Sequence, residues 1–475
     1  MKYCLYTLLC LCLCLSAKAQ LSIVQQNRQM SPDPNRIALN SKVHLRRIFI
    51  IGNKVTKRNV ITREMSVSEG DSINTDSLSY LMEINRKRIY NLTIFNDVIV
   101  TTDTLSAQEI DWTIRVKEQW YLMPQLSFKL ADRNFNVWWD EHHHDIRRSN
   151  LGIMLKNRNF CGNLEQLSAT VQVGYTQKFG MEYFKPYIDK AQKHGIGASF
   201  FIAKNEETYY TTDSNKLRFV HTRGNYIIRQ FEAAGVYVYR PGYAFKHQLE
   251  LRYRDYQADD TVLKLNPDYY LNGSRRLKLL DLTYRFDMNK VDNWSYPLLG
   301  SKIVAYAEVR AGWEGFKFQS LAQVEAGHFY SIAPKVYMAH VLRARLTAPE
   351  RQPYIFRNAL GSETEMVRGY EYYVIDGSQY GVFRTDLKYE LLNVVIRNIP
   401  IRFISALPIR LYPKIYADLG YVSYKYRGNS YLNNRLLYSY GIGMDIWSAY
   451  DFKLRIEYSF NHLLEKGLFL HLNSE

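Results

Sequence analysis

The chain has 475 residues, of which 47% are hydrophobic, 14% aromatic and 23% charged, so it is not a disordered polyelectrolyte and can bury a large core. Lysine and arginine exceed aspartate and glutamate by 16, and this excess is spread along the chain, which favours contact with anionic surfaces over a nucleic-acid domain. After residue 20 no apolar run approaches the ~18 residues that a membrane-spanning helix requires, which excludes a helical membrane protein.

Residues 1–19 have the pattern of a secretory signal peptide. Lys2 supplies the basic start, an apolar stretch runs from Leu5 to Leu15, and an A-x-A cleavage site ends at Ala19. Cleavage there leaves Cys161 as the single cysteine. We therefore expect an exported protein with neither an internal disulfide nor a cysteine-based zinc site.

Residues 20–42 are predicted to be a linker, and residues 43–118 a small α+β domain. Its elements follow in the order strand, helix, helix, strand, strand, over 43–51, 56–65, 78–92, 97–102 and 110–116. The turns Gly52-Asn53 and Gly70-Asp71 and the segment Leu92–Val98, in this order, resemble a POTRA domain. The alternative is a different small periplasmic domain.

From about residue 119 to the end, apolar and polar residues alternate with period two, as in Leu249, Leu251 and Tyr253 against Glu250 and Arg252. Alternation also fits a soluble sandwich. The export signal, the 39 tyrosines and the lack of disulfides favour an antiparallel transmembrane β-barrel over residues 119–475, with the apolar face turned to lipid.

Sixteen strand-like segments can be counted in this region, and this even number returns the C-terminus to the periplasm. They begin near Tyr121, Leu151, Leu164, Met181, Gly195, Gln230, Lys246, Leu277, Ser301, Gln319, Val336, Val382, Tyr412, Leu436, Phe452 and Gly467. The longest connections are then extracellular, at 131–148, 258–275 and 348–381. The stretch from 393 to 408 is expected to be a long periplasmic connection.

Tryptophans are predicted to form two membrane-interface girdles. The periplasmic girdle would contain Trp120, Trp294 and Trp447, and the outer one Trp138, Trp139 and Trp313.

No residue is assigned to catalysis, to a cofactor or to a metal. The cluster Glu141–Asp145 contains three adjacent histidines, but neighbours in one loop rarely converge on a single ion, so it is interpreted as an incidental surface cluster. The sequence has neither a G-x-S-x-G elbow nor a phosphate-binding glycine loop.

The most informative motif lies in the long connection before the twelfth strand, at Val367, Arg368, Gly369 and Tyr370. An arginine next to a glycine is unusual at a solvent-exposed loop tip. At this position the motif resembles the sixth-loop signature of the BamA/TamA-type outer-membrane assembly and translocation superfamily.

Three further segments resemble the same superfamily: Leu151–Asn163 its early strand pair, Tyr416–Gly420 its aromatic-x-Asp-x-Gly strand, and Phe452–Leu472 its last two strands. The chain departs from the pattern by having one POTRA-like unit and no terminal aromatic residue. The alternation places Asp418 toward the lumen, and the resemblance implies that Arg368 pairs with it.

The resemblance implies a protein of the outer membrane of a Gram-negative-type bacterium, with the POTRA domain in the periplasm, that inserts or translocates other proteins. Its partners would be unfolded outer-membrane or secreted clients, outer-membrane lipid and accessory lipoproteins. A short last strand suggests a seam against the first strand that templates client strands, marked by Leu122, Leu468 and Leu470. The alternatives are a passive channel or adhesin, and an outer-membrane hydrolase.

Overall fold

The computed structural model describes residues 42–189, 191–222, 224–313, 315–361, 365–401, 404–448 and 452–473. The predicted signal peptide, and the predicted linker except its last residue, lie outside these ranges. The described residues form two compact units. One contains residues up to 49, 67–82 and 101–113, and the other contains residues 50–66, 83–100 and 114 onward.

The predicted order of elements in the N-terminal domain is confirmed, with one additional short strand. The elements are β1 (Lys42–Ile51), α1 (Arg58–Thr62), β2 (Ser72–Asn74), α2 (Leu78–Tyr90), β3 (Phe95–Thr104) and β4 (Glu109–Glu118). The strands form one sheet in the order β2-β1-β4-β3. In the first unit the side chains of Val43, Leu45, Ile110 and Trp112 are fully buried and supply a hydrophobic core.

The second unit contains a closed antiparallel barrel. Its ring strands are β5 (Leu122–Leu130), β6 (Ser149–Asn157), β7 (Gln166–Gly174), β8 (Thr176–Lys185), β9 (His194–Asn205), β12 (Ile228–Tyr239), β13 (Phe245–Ala258), β14 (Arg276–Val291), β15 (Gly300–Gly312), β16 (Phe318–Ala333), β17 (Val336–Ala348), β20 (Gln379–Tyr389), β22 (Ile404–Ser423), β23 (Leu436–Ser448), β24 (Lys453–Asn461) and β25 (Lys466–Asn473). Within the described ranges these are sixteen strands, as predicted, and β25 closes the ring beside β5.

The barrel turns its apolar face outward. On β13 the outward Leu249 and Leu251 are exposed, whereas the alternate residues Glu250 and Arg252 face inward, where Arg252 donates to Glu250 and Glu232. Such rows of exposed aliphatic side chains are stable against lipid and not against water. The chain is therefore a transmembrane β-barrel protein.

Within the described ranges, no helix is long and apolar enough to cross a membrane.

The connections differ at the two ends of the barrel, which we call the short-turn end and the long-loop end. The long-loop end includes residues 131–148, 259–275 and 349–378, close to the predicted ranges. Elements within the long-loop connections are β10 (Glu207–Asp213), β11 (Lys216–His221), α3 (Asp260–Leu265), β18 (Asn358–Leu360) and β19 (Ile375–Asp376). The hairpin β10–β11 was not predicted.

The prediction for residues 393–408 is wrong in part: the stretch connects two ring strands at the short-turn end, as predicted, but its strand structure was not predicted. This stretch forms strand β21 (Leu392–Ile401) and the start of the 20-residue β22, which pair with each other. Strand β20 pairs with the later part of β22, so β21 is a hairpin extension of the ring. Its consecutive Val394, Val395 and Ile396 are all exposed, which explains why no alternation marks it.

The prediction for Trp447 is also wrong in part. The residue lies at the short-turn end of β23, but its side chain is buried in a cluster with Tyr296, Leu298 and Tyr412. Trp139 and Trp313 at the long-loop end are exposed, as expected for an interfacial girdle.

Residues 50–66 belong to the same unit as the barrel and contact its short-turn end. The buried carboxylate of Glu64 accepts two hydrogen bonds of 2.8 Å from Arg240, which follows β12, and pairs with Arg63. Arg63 also donates to the carbonyl of Gln192 over 2.6 Å. An enclosed carboxylate with two arginine partners fixes this segment against the turns.

Candidate functional site

The candidate site lies on the connection between β17 and β20, residues 349–378, which we call the lumen loop. Its core packs on the inner faces of β20, β22 and β23, where Val367 and Tyr370 meet Val382, Val422 and Leu437. The motif residues are therefore buried inside the barrel wall and are not solvated at a loop tip.

The ion pair expected between Arg368 and Asp418 is present in the structure. Nε of Arg368 donates to Oδ2 of Asp418 over 2.9 Å, and the backbone N–H of Arg368 donates to the same oxygen over 3.0 Å. A terminal nitrogen donates to the other carboxylate oxygen. The two residues are 5% and 1% exposed, so this is a desolvated, two-pronged pair.

Arg368 has two further acidic neighbours and one aromatic neighbour. Its Nη1 lies 2.6 Å from Oδ1 of Asp386 and 3.4 Å from Oε1 of Glu457. The guanidinium carbon lies 3.9 Å from the ring centre of Tyr416, within the range of a cation–π contact.

The inward residues of β22 match the loop motif one by one. Tyr416 covers the guanidinium, Asp418 pairs with it, and Gly420 makes room for Val367, since a Cβ on Gly420 would lie 2.4 Å from Cγ2 of Val367. The aromatic-x-Asp-x-Gly segment of β22 therefore forms the surface on which Val367 and Arg368 pack.

Gly369 turns the chain at the motif. Its φ of +83° is in the left-handed region, which glycine adopts without strain. A Cβ here would lie 3.1 Å from Cβ of Ser459, so both the backbone angle and the space favour glycine.

Tyr370 fixes the other end of the motif. Its hydroxyl donates to the carbonyl of Tyr438 over 3.1 Å and contacts Nδ1 of His462. The side chain of Asn461 donates to the carbonyl of Gly369 over 2.8 Å. The motif is thus bound to β22, β23 and the β24–β25 turn.

Arg368 belongs to a larger buried charge cluster. Nζ of Lys414 lies 2.6 Å from both Asp445 and Glu457, and Nε of Arg384 lies 3.8 Å from Asp418. In the described part of the chain the cluster pairs four cations with four carboxylates: Arg368, Arg384, Lys388 and Lys414 with Asp386, Asp418, Asp445 and Glu457. This balance limits the cost of burying the charges.

The charge cluster reaches the last strand through His471. Its Nε2 lies 3.4 Å from Glu457 and 3.5 Å from Glu371 of the lumen loop. His471 faces inward on β25, whereas Leu468 on the same strand is exposed on the outer face, as is Leu122 at the start of β5. Leu470, also outward, is half-buried. The predicted seam residues are therefore on the lipid side of neighbouring strands.

The connection 131–148, which we call the first loop, contacts both the lumen loop and the last strand. Arg133 donates to the carbonyl of Tyr373 over 2.7 Å, and Asn134 donates to that of Glu371 over 2.7 Å. The side-chain amide of Asn136 donates to the carbonyl of Leu468 over 2.7 Å. A loop side chain thus satisfies one carbonyl of β25.

The histidine cluster of the first loop makes local contacts. Glu141 pairs with Lys216 over 2.7 Å, and Nε2 of His142 lies 3.3 Å from Asp132. Across the described ranges, His, Cys, Asp and Glu side chains do not form a group of three or more that could hold a metal ion.

Comparison with known proteins supports the two predicted parts of the chain. Residues 43–119 match the family model described as POTRA, surface antigen variable number repeat. The outer membrane protein assembly factor BamA of Neorickettsia risticii (strain Illinois) is 34% identical over 83 residues, which are 18% of this chain and 11% of that protein. The chain therefore matches only about a tenth of that relative's length.

Solved structures show the same fold. BamA from Haemophilus ducreyi lacking POTRA domains 1–3 has a TM-score of 0.52 at 14% identity, over 90% of this chain and 83% of that one. CdiB from Escherichia coli has a TM-score of 0.52 at 12% identity, over 90% and 75%. Residues 43–119 therefore match the POTRA family, and the barrel has the fold of the BamA and CdiB structures. The resemblance found in the sequence is confirmed for the POTRA domain and for the barrel fold.

Several residues of this site were not predicted as members of it. Lys414 and Tyr416 could have been, because the alternation that turned Asp418 inward turns them inward too. The first-loop contacts through Arg133 and Asn136 carry no sequence signal, since they join residues more than 200 positions apart.

Proposed function

We propose that this protein inserts or translocates other proteins at the outer membrane of a Gram-negative-type bacterium. Residues 43–118 form its periplasmic POTRA domain, residues 119–475 form the barrel, and residues 1–19 and 20–42 are the signal peptide and linker. The partners are unfolded outer-membrane or secreted clients and outer-membrane lipid, with accessory lipoproteins as further candidates. The Neorickettsia risticii relative is an outer membrane protein assembly factor, and the BamA and CdiB structures share the barrel fold, which supports this function.

The observation that carries the proposal is the link between the motif and the last strand. Arg368 and His471 contact the same carboxylate, Glu457, and Glu371 of the lumen loop also lies beside His471. A pore that only conducts has no need for a buried arginine that joins a loop to one particular strand. A device that controls the pairing of β25 does need such a link.

The mechanism we infer is strand templating at the seam between β5 and β25. The last strand has eight residues, and Asn136 occupies the carbonyl of Leu468. Release of this amide frees a backbone acceptor toward which a client strand can donate, because strand edges pair readily with extended chains. The strand β3, at the edge of the POTRA sheet, offers a second such edge.

Reconstitution of the full-length protein into phospholipid vesicles tests the function. An unfolded outer-membrane barrel is added as client, and its folded fraction is followed by its faster migration in unheated gel samples. We expect the client to fold several-fold faster than in empty vesicles, and Arg368→Ala vesicles to approach the empty ones. Equal folding rates in all three vesicle types contradict the proposal.

The same vesicles discriminate the alternatives. A large, steady ion conductance without client folding would identify a passive channel. Release of fatty acid from the vesicle phospholipid would identify a hydrolase.

A further inference from the structure

Four histidines face lipid at the short-turn end of the barrel, on four of the seven ring strands from β9 to β17: His194 on β9, His247 on β13, His328 on β16 and His340 on β17. Each shares its strand face with exposed aliphatic residues, such as Ile196 beside His194 and Leu342 beside His340. We call this row of side chains the histidine belt. Neither the lumen site nor the seam uses it.

The centre of the belt is a connected group of polar side chains. His328 and His340 are directly opposite each other on β16 and β17. Nδ1 of His328 lies 2.8 Å from the hydroxyl of Ser301, and His340 lies 3.2 Å from the hydroxyl of Tyr330 through Nε2 and 3.1 Å from that of Thr385 through Nδ1. The ring of His340 also stacks on Phe383.

This central group has more donor hydrogens than internal acceptor contacts. Three hydroxyls and two imidazoles carry at least five hydrogens bound to oxygen or nitrogen, and the three contacts above use one each. At least two donors therefore remain for an outside acceptor. The flanking pairs repeat the pattern, since His194 contacts the hydroxyl of Tyr237 over 2.6 Å and His247 that of Tyr284 over 2.8 Å.

The position of the belt indicates which acceptor it meets. Unsatisfied donors are costly in the hydrocarbon core, so lipid-facing polar groups mark the level of the headgroups. The short turn that joins β16 to β17 adds the exposed Lys335, a cation at the same end of the barrel. Phospholipid phosphates lie at this level and offer anionic acceptor oxygens.

The described outward side chains of the seam strands differ. On β5, and from Leu468 onward on β25, they are apolar, with Leu122, Leu126, Phe128 and Leu468 exposed; the exposed Lys466 of β25 lies at the opposite, long-loop end. The polar row is therefore confined to strands away from the seam and is not a property of every strand.

We propose that the histidine belt binds the phosphate groups of phospholipids in the leaflet at the short-turn end of the barrel. In the orientation proposed above this is the periplasmic leaflet. By binding these phosphates, the belt fixes the level of the lipid headgroups along the barrel wall from β9 to β20. In its described part, the seam has no such binding groups.

Native mass spectrometry of the full-length protein tests the proposal, with dioleoylphosphatidylglycerol as the probe added to detergent micelles. The variant His328→Phe/His340→Phe keeps the rings and removes the imidazole donors. Two lost hydrogen bonds correspond to on the order of tenfold weaker lipid retention. The matched control is His143→Phe/His144→Phe in the first loop, which we expect to retain lipid like the unaltered protein.

Two results would overturn the proposal: equal lipid retention by the belt variant, or equal retention of dioleoylglycerol, which has the same chains without the phosphate, by the unaltered protein. If the double variant loses its fast gel migration, Ser301→Ala/Thr385→Val replaces it, and unchanged retention by that variant likewise refutes the belt. These measurements involve no client, so they are independent of the insertion activity.

Discussion

Arg368 is surrounded by three carboxylates and one aromatic ring, and its contacts are desolvated. Removing it leaves Asp386, Asp418 and Glu457 with one cation fewer. Removing Asp418 leaves the guanidinium with two acidic neighbours. The two substitutions should therefore lower the stability of the protein by different amounts.

We predict that Arg368→Ala lowers the free energy of unfolding by roughly 3–5 kcal/mol, and that Asp418→Ala costs less. The double variant should be little less stable than Arg368→Ala, because both substitutions remove the same ion pair. Urea unfolding, followed by gel migration, measures these values. Arg147→Ala, which removes a solvent-exposed pair with Asp145, should leave the free energy of unfolding nearly unchanged. Equal, additive losses for Arg368→Ala and Asp418→Ala would refute the buried pair.

The contact between Val367 and Gly420 gives a second prediction. Gly420→Ala should destabilise the barrel by about 1–3 kcal/mol, since its Cβ would collide with Val367. Val367→Ala in the same chain should recover part of this loss. A Gly420→Ala protein as stable as the original, measured by the same urea unfolding, would show that the two residues are not in contact.

At the residue scale, the pairing of Arg368 with Asp418 was predicted from the sequence, and the other groups around the guanidinium were not. Asp418 could be placed inside because alternation along one strand is local. The neighbours of Arg368 come from β20, β22 and β24. Which of their residues lie side by side depends on the register between the strands, and a pattern within one strand does not reveal that register.

Among the elements, the first loop joins the lumen loop to the last strand. Arg133 donates to three lumen-loop carbonyls, those of Gly361, Tyr372 and Tyr373. Burial in this loop lowers the pKa of its guanidinium to about 10, which reflects how little water reaches it.

Arg133→Ala should loosen the lumen loop, because three buried carbonyls lose their donor. We expect limited proteolysis of the full-length protein to cut within 349–378 several-fold faster than before. Arg147→Ala, in the same loop but exposed, serves as the control. Unchanged cleavage in the Arg133 variant would show that the first loop does not hold the lumen loop.

The POTRA domain gives a prediction about pH. The carboxylate of Asp111 accepts hydrogen bonds from Arg46 over 2.7 Å and from the backbone of Arg47 over 3.1 Å. The hydrogen bond from Arg46 holds the pKa of Asp111 below its ordinary value. This stabilisation is present above the unfolded pKa and is lost as the pH falls through the lowered folded pKa.

Asp111→Asn should therefore increase hydrogen exchange over residues 42–118 at pH 7, and only modestly, because Arg46 is partly exposed. The difference from the unaltered protein should vanish in acid. Glu109→Gln, on the same strand but exposed, should change neither. A difference that persists below the lowered pKa would contradict the assignment.

Element by element, alternation located the ring strands because each has one lipid face and one polar face. The extension β21 was missed because both faces of its described part, residues 392–396, are exposed, so no selection for period two acts there. The hairpin β10–β11 was missed because it lies outside the ring, where a loop and a short strand pair have similar compositions.

For the whole molecule, the closed ring explains how the barrel resists unfolding, and the seam explains how it would act. Every described strand of the ring has two hydrogen-bonded neighbours, so the ring has no free strand edge from which unfolding can begin. Strand donation requires that β25 separate from β5. The central claim is that this separation occurs and is needed.

Locking the seam by a disulfide tests this claim most directly. After replacement of Cys161, one cysteine is placed at Leu122 or Leu126 on β5 and one at Leu468 or Leu470 on β25, and the pairs that form a disulfide on oxidation are assayed in vesicles. The matched control joins the directly opposed, lipid-facing Ile153 and Val171 on β6 and β7. We predict that oxidation of a seam pair abolishes client folding, that reduction restores it, and that the control is unaffected. Full client folding with an oxidised seam would contradict the account.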